Sequence, residues 1–277
     1  MAFILIIASL VLFLWIVSLC KVLLLPRIPF AKHFTNNNGR AFRKRNVLLV
    51  IAHPDDESMF FTPTINFLTS KGHNVQILCL SIGDADGKGN IRKQELFQAC
   101  VALKVPMQQV KIVNHPDLQD GFGKVWNHSL LAKIIEEEIT SRCIDMVRLC
   151  CLRHVSADQL LPLTAMVSQV IVIIVMCIME YGKLNISIDQ YQRTIAEKSG
   201  DIVSTNILRK YSGPVDIWLS IFLTMLHTNG TMQCLVNEHS RRSGIAMAQH
   251  SSQWVWFRKL FVTLSSYTYM NTLRKVK

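Results

Sequence analysis

Two kinds of apolar pattern divide the chain. The first is continuous: Ala2 to Cys20 is nineteen apolar or small residues without a charge, long enough for a membrane-spanning helix. Lys21 and Arg27 follow, then Lys32, Arg40, Arg43, Lys44 and Arg45, and no basic side chain precedes the run. The positive-inside rule puts the N-terminus outside and the remainder in the cytosol. A cleaved signal peptide needs a basic start and a small-residue cleavage site, and this stretch has neither. Residues 2–25 therefore read as a transmembrane anchor. Residues 26–45, with Pro26, three consecutive Asn from Asn36 and Gly39, read as a basic juxtamembrane linker able to touch anionic headgroups.

From Asn46 the pattern changes to short apolar runs alternating with amphipathic stretches. Val47 to Ala52 is an unbroken apolar run of Val, Leu, Ile and Ala, the mark of a strand buried on both faces of a parallel sheet. A helix is expected from about Met59 to Ser70, closed by Gly72 near a C-cap position. Asn74 to Ser81 is a second strand and Ile82 to Asn90 a Gly-rich loop at its carboxyl end. Ile91 to Lys104 follows as a helix with Leu96, Ala99, Cys100 and Leu103 on one face. Val110 to Val113 is a third strand, Trp126 to Ser141 another helix, and Cys143 to Val147 begins a fourth strand. This alternation predicts an α/β fold, a Rossmann-like layered sandwich with a mostly parallel sheet, over residues 46–147.

Composition narrows the partners. Of 277 residues half are hydrophobic, and the mean hydropathy of +0.26 is high for a wholly soluble protein. The net charge of +11 suits an anionic partner. No nucleic-acid motif is present, so a membrane or a phosphoinositide leads. Eight Cys without a CxxC pair argue for reduced thiols on a cytosolic face. The sequons at Asn127, Asn185 and Asn229 matter only in a lumen.

The candidate chemistry stands where the first strand ends. Ala52-His-Pro-Asp-Asp-Glu57 sets one His and three carboxylates at the carboxyl end of a core strand, where open α/β sheets bind ligands. His53 and Asp56 are ligand types for a divalent metal such as zinc, and Asp55 between them can take a proton from a bound water. Helix capping by the acids is the bland alternative; it explains one or two of them, not the whole cluster. The Gly-rich loop at 82–90 is a weak phosphate cradle, lacking the spacing of known phosphate loops. Arg92 and Glu95 read as a solvated i,i+3 pair. His115, Asp117 and Asp120 read as an ordinary polar loop at the same sheet edge.

The motif Ala52-His-Pro-Asp-Asp-Glu57 resembles the signature of the LmbE-like zinc de-N-acetylases. The likeness extends from the N-terminus to about Val147, and returns near Asn206–Tyr211 and Trp256–Leu260. It points to the membrane-tethered branch acting on N-acetylglucosaminyl-phosphatidylinositol in glycosylphosphatidylinositol anchor biosynthesis. The resemblance implies His53 and Asp56 as zinc ligands, Asp55 as general base and Arg92 as a substrate contact. It also implies a location in the endoplasmic reticulum membrane, single-pass, with the catalytic part facing the cytosol.

One part of the family pattern is missing. The Gly-His-x-x-His motif that completes the metal site does not occur between Arg148 and Ser204, where His154 is the only His. Leu160 to Met179 is instead a twenty-residue apolar run without charge, which hydropathy alone reads as a second span. Back-translated from Met166 and read two bases later, however, its codons permit a string containing Gly-His-Cys-Asn-His. Residues 148–204 are therefore read as an out-of-frame segment of a splice or gene-model variant, the third metal ligand staying unknown. Residues 205–277 return to family-like sequence. There Val215 to Leu226 is too short to span, and Ser252 to Met270 mixes aromatic and basic residues, as either an interfacial helix or a core helix with a basic edge does. Two functions follow: a zinc-dependent amide hydrolase releasing acetate, or a catalytically impaired, membrane-anchored relative without the third ligand.

Overall fold

The computed structural model describes residues 2–24, 44–121, 124, 126–149, 199–202, 207–226 and 232–275. Most of the linker at 26–45 and the run Leu160–Met179 lie outside the described residues. Helix α1 covers Ala2–Leu24. Its side chains are described without a break only over residues 12–20, and no helix among the described residues is long and apolar enough to cross a membrane.

The strands are β1 (Asn46–Ile51), β2 (Asn74–Cys79), β3 (Val110–Ile112), β4 (Met146–Leu149), β5 (Ser199–Ile202), β6 (Met232–Val236) and β7 (Met270–Lys275). They form one seven-stranded sheet of order β3-β2-β1-β4-β5-β7-β6. The first five are parallel, with Val47 opposite both Val75 and Met146. Strand β7 turns antiparallel on β5, and β6 on β7. The α/β fold and the mostly parallel sheet expected from the alternation are present.

Strand β1 lies inside the sheet and is buried on both faces, as its unbroken apolar run requires. Val47, Leu49 and Ile51 enter one core, and Leu48, Val50 and Ala52 the other. The first core is covered by α3 (Thr62–Ser70) through Ile65 and by α4 (Gly89–Ala102) through Leu96, Ala99 and Cys100. The second is covered by α5 (His128–Ser141) through Leu131 and Ile135. Each fully buried Leu or Ile contributes about 1.5–3 kcal/mol by leaving water.

Local boundaries differ from the sequence reading for identifiable reasons. The helix expected over Met59–Ser70 is split into α2 (Asp56–Met59) and α3, because Pro63 has no amide to bond the carbonyl four residues back. Helix α3 closes as expected around Gly72, at φ +73°. Its amide bonds the Thr69 carbonyl, and the His73 amide bonds that of Leu68, both at 3.0 Å. The fourth strand starts at Met146 rather than Cys143, whose φ of 49° belongs to a turn.

The last part of the chain returns to the same core. It supplies α6 (Ile207–Lys210), α7 (Asp216–Leu226), α8 (Arg241–Gln249), α9 (Trp256–Leu264) and α10 (Ser266–Tyr269) around β6 and β7. Ala246 and Met247 of α8 and Phe261 and Val262 of α9 pack in the core that holds Val47 and Leu49.

Candidate active site

Parallel strands in this layout end at one edge, and the β1 loop opens there. Its backbone is shaped by its own acids. Asp56 Oδ2 accepts hydrogen bonds from the amides of Ala52 and His53, each at 2.9 Å. Burial, then the neighbouring Asp55 carboxylate, raise Asp56 to a pKa of about 6. Asp55 has φ 137° and ψ −22°, a conformation L side chains avoid. Strain of this kind costs about 1–3 kcal/mol and persists only where the surroundings impose it. Here Glu57 imposes it: one oxygen accepts the Asp55 amide at 3.1 Å, and the other lies 2.6 Å from Nε2 of His250. Both Glu57 and His250 are fully buried.

Helix capping does not account for Asp55. It stands at the N-cap of α2, yet its side chain makes no capping bond. The carboxylate instead meets two guanidinium groups, Arg258 in direct contact and Arg92 Nη2 at 3.9 Å.

His53 Nε2 is buried and has no hydrogen-bond partner. The nearest acid oxygen, Oδ1 of Asp120, is 3.3 Å away in a poor direction for a hydrogen bond. Trp126 leans on the imidazole with ring centroids 5.7 Å apart, and is fixed by donating to the Gln119 carbonyl at 2.9 Å. Burial lowers the His53 pKa, but the Asp120, Asp56 and Asp55 carboxylates outweigh it and leave the ring more basic than usual.

An orphaned imidazole nitrogen beside a buried carboxylate suits a divalent cation. His53 Nε2 and the Asp56 oxygen not taken up by backbone amides are the two donors that fit. Among the described residues, no group of three His, Cys, Asp or Glu is placed to hold a metal.

Arg92 and Glu95 are not the solvated pair expected from their spacing. Arg92 turns into the site, donating to the carbonyls of Gly83 at 2.8 Å and Pro54 at 3.1 Å, with Asp120 at 3.4 Å. Gly83 is required for this: its φ is +66°, and a Cβ there would stand 2.5 Å from the guanidinium. Glu95 turns the other way. It accepts from the Ser251 and Ser252 hydroxyls and the Ser252 amide at 2.7–2.9 Å. In the Gly-rich loop, Asp84 already occupies the Gly89 amide at 2.6 Å, so an acid sits where a phosphate cradle needs open donors.

Several site residues escaped the sequence reading. Asp120 belongs to the site and not to an ordinary loop. Gln253 and Arg258 come from the stretch read as interfacial, and His250 stands two residues before it. Gln253 donates to the Pro54 carbonyl at 3.0 Å and accepts from Arg258 at 2.6 Å, so this segment clamps the β1 loop from behind. The only available signal was the placing of polar His250, Gln253 and Arg258 among aromatics. His115 stays outside this network, accepting the Asp117 amide at 3.1 Å.

Residues 48–152 match the family model described as PIG-L: GlcNAc-PI de-N-acetylase. A probable N-acetylglucosaminyl-phosphatidylinositol de-N-acetylase of Dictyostelium discoideum is 33% identical over 258 residues, covering 88% of this chain and 99% of that protein. The Bos taurus N-acetylglucosaminyl-phosphatidylinositol de-N-acetylase is 31% identical over 230 residues, covering 82% and 81%. Among solved structures, the N,N'-diacetylchitobiose deacetylase of Pyrococcus horikoshii aligns with a TM-score of 0.48 at 14% identity, covering 88% of each chain. With such identity along most of its length, the chain belongs to the GlcNAc-PI de-N-acetylase family.

Proposed function

We propose that this protein hydrolyses the acetamide of N-acetylglucosaminyl-phosphatidylinositol, releasing acetate in glycosylphosphatidylinositol anchor biosynthesis. The observation that carries the reading is the Asp55 carboxylate, held in a strained backbone between Arg92 and Arg258 and beside the free Nε2 of His53. Family membership supplies the substrate class.

In this reading His53 and Asp56 would hold a zinc ion, whose chemistry would be to make a water acidic near pH 7, at a pKa of about 7. Asp55 removes a proton from the attacking water as oxygen adds to the acetyl carbonyl. The same carboxyl returns that proton to the sugar nitrogen as the C–N bond breaks, leaving acetate and a free amine. The two guanidiniums fix the carboxylate and set positive charge close to the developing oxyanion and the substrate phosphate. Asp120 and Trp126 orient the His53 ring. Helix α1 and the basic residues after it support a single-pass anchor in the endoplasmic reticulum membrane with the site on the cytosolic face.

The test is Asp55→Asn in a chain with an intact third-ligand segment: acetate release should stop while bound zinc, measured by metal analysis, stays. Turnover surviving in Asp55→Asn would remove it as the base. His53→Ala should instead lose the metal.

A second reading has its own support. His154 is the only His between Arg148 and Ser204, and no three-donor group occurs among the described residues. Catalytic zinc usually takes three protein ligands, so a chain supplying only two would be a catalytically impaired, membrane-anchored variant or a non-enzymatic relative.

A further inference from the structure

Three segments distant in sequence present apolar side chains on adjoining surfaces. Helix α1 is packed on the domain: Trp218 Nε1 donates to Ser18 Oγ at 3.0 Å, and Leu19 packs against the cluster of Ile217 and Ile221. The turn Gly213–Val215 is where the segments meet. A Cβ on Gly213 would lie 2.8 Å from Trp15 Nε1 in α1 and 3.3 Å from the carbonyl of Leu264 at the end of α9. Outward from this junction, Trp218, Phe222 and Leu226 of α7 are 42–59% exposed, and Trp256, Phe257 and Leu260 of α9 are 49–55% exposed. The opposite face of α9 is buried through Phe261 and Val262.

We propose that the exposed faces of α7 and α9, continuous with α1 across the Gly213 turn, lie in the headgroup–acyl boundary of the bilayer that α1 enters. This rests on the reading of α1 as an anchor and of the substrate as a phosphatidylinositol. Soluble proteins seldom leave large apolar side chains grouped over adjoining helices, and such patches mark interaction surfaces. Continuity with a helix whose first nineteen residues, Ala2 to Cys20, carry no charge selects lipid over a protein partner. The edges agree: Lys259 Nζ lies 5.5 Å from the Trp254 ring centroid, Lys210 Nζ lies 5.3 Å from that of Phe261, and the chain carries +11. Trp with Lys on one amphipathic surface is the pattern of helices lying in anionic interfaces.

The placement has a use. Helix α9 carries Arg258 to Asp55 on one side and Trp256, Phe257 and Leu260 on the other. Embedding its outer face brings the base to headgroup level, so a lipid-linked sugar reaches it without leaving the membrane.

The full chain in phosphatidylcholine–phosphatidylinositol vesicles tests this through tryptophan fluorescence, quenched by bromine on the acyl chains or by iodide in the water. Trp218→Phe and Trp256→Phe should each remove part of the bromolipid quenching and leave iodide quenching unchanged, whereas Trp126→Phe, in the second core, should not alter bromolipid quenching. Loss of iodide quenching instead means these faces are in water and overturns the proposal. No change in either channel means that protein covers them, a second copy or another partner, and overturns it equally. The signal requires no turnover, so a chain without deacetylase activity can still pass. Protease protection reads the insertion of α1 separately.

Discussion

Asp55 is the residue around which the site is strained. A backbone at φ 137° persists because Glu57 and His250 brace it from the interior, where neither touches water. Removing one partner of a buried ion pair leaves the other uncompensated, at a cost of about 3–5 kcal/mol. His250→Ala should therefore lower the midpoint of thermal unfolding by several degrees and release the Asp55 conformation. An unchanged melting curve would show that Glu57 does not depend on its partner. The grouping of His53, Asp55 and Asp56 was legible in the sequence because they fall within four residues directly after a core strand. Arg258, some two hundred positions away, was not: a contact between ends of a chain leaves no local period, and aromatic neighbours gave this one the look of a membrane surface.

At the scale of elements, helix faces were read well and helix ends less so. The stripe Leu96, Ala99, Cys100 and Leu103 is fully buried, because apolar spacing reports directly on which side meets the sheet. The partners of Arg92 and Glu95 were misjudged, since sequence spacing says that two side chains are neighbours but not whether something better is within reach. Glu95 ties α4 to the Ser251–Gln253 turn. Burial opposes its charge, but the bonds from Ser252 and Ser251 hold its pKa below the ordinary 4.5. A depressed carboxyl contributes stability that is complete above the unfolded-state pKa and is lost as pH falls through the folded-state one. Thermal midpoints measured below about pH 4.5 should thus fall less steeply in Glu95→Gln than in the parent chain. An identical slope would remove Glu95 from the acid transition. Helix α1 carries a prediction of its own: a tag placed after Arg45 should be cut by protease added to intact microsomes. Protection there would reverse the proposed topology.

For the molecule as a whole, the pattern of strands and helices predicted the α/β class, but not the order of the sheet. Parallel strands are joined through long crossovers, so succession along the chain does not say which strands are neighbours. The C-terminal strands were harder still, because short antiparallel runs between amphipathic helices look like any apolar stretch. The segment at 148–204 is where sequence logic found its largest departure from the family. Restoring the shifted frame across Gln159 to Tyr181, and deleting Arg148 to Asp158, should raise both zinc content and acetate release. Tight stoichiometric zinc and full turnover in the chain as written would refute the frame-shift account.

Strand β7 holds the final consequence. It is the last of the described strands yet an inner one, lying between β5 and β6, and among the described residues β6 pairs with it alone. Domains form as their sequence leaves the ribosome, N-terminal parts first. Here β5 is made some seventy residues before the strand that joins it to β6. Until β7 is made, β5 presents an open edge, although the clamp residues His250, Gln253 and Arg258 have already been synthesised. A chain cut before Met270 would keep His53, Asp55, Arg92, His250 and Arg258 and still leave its sheet unfilled.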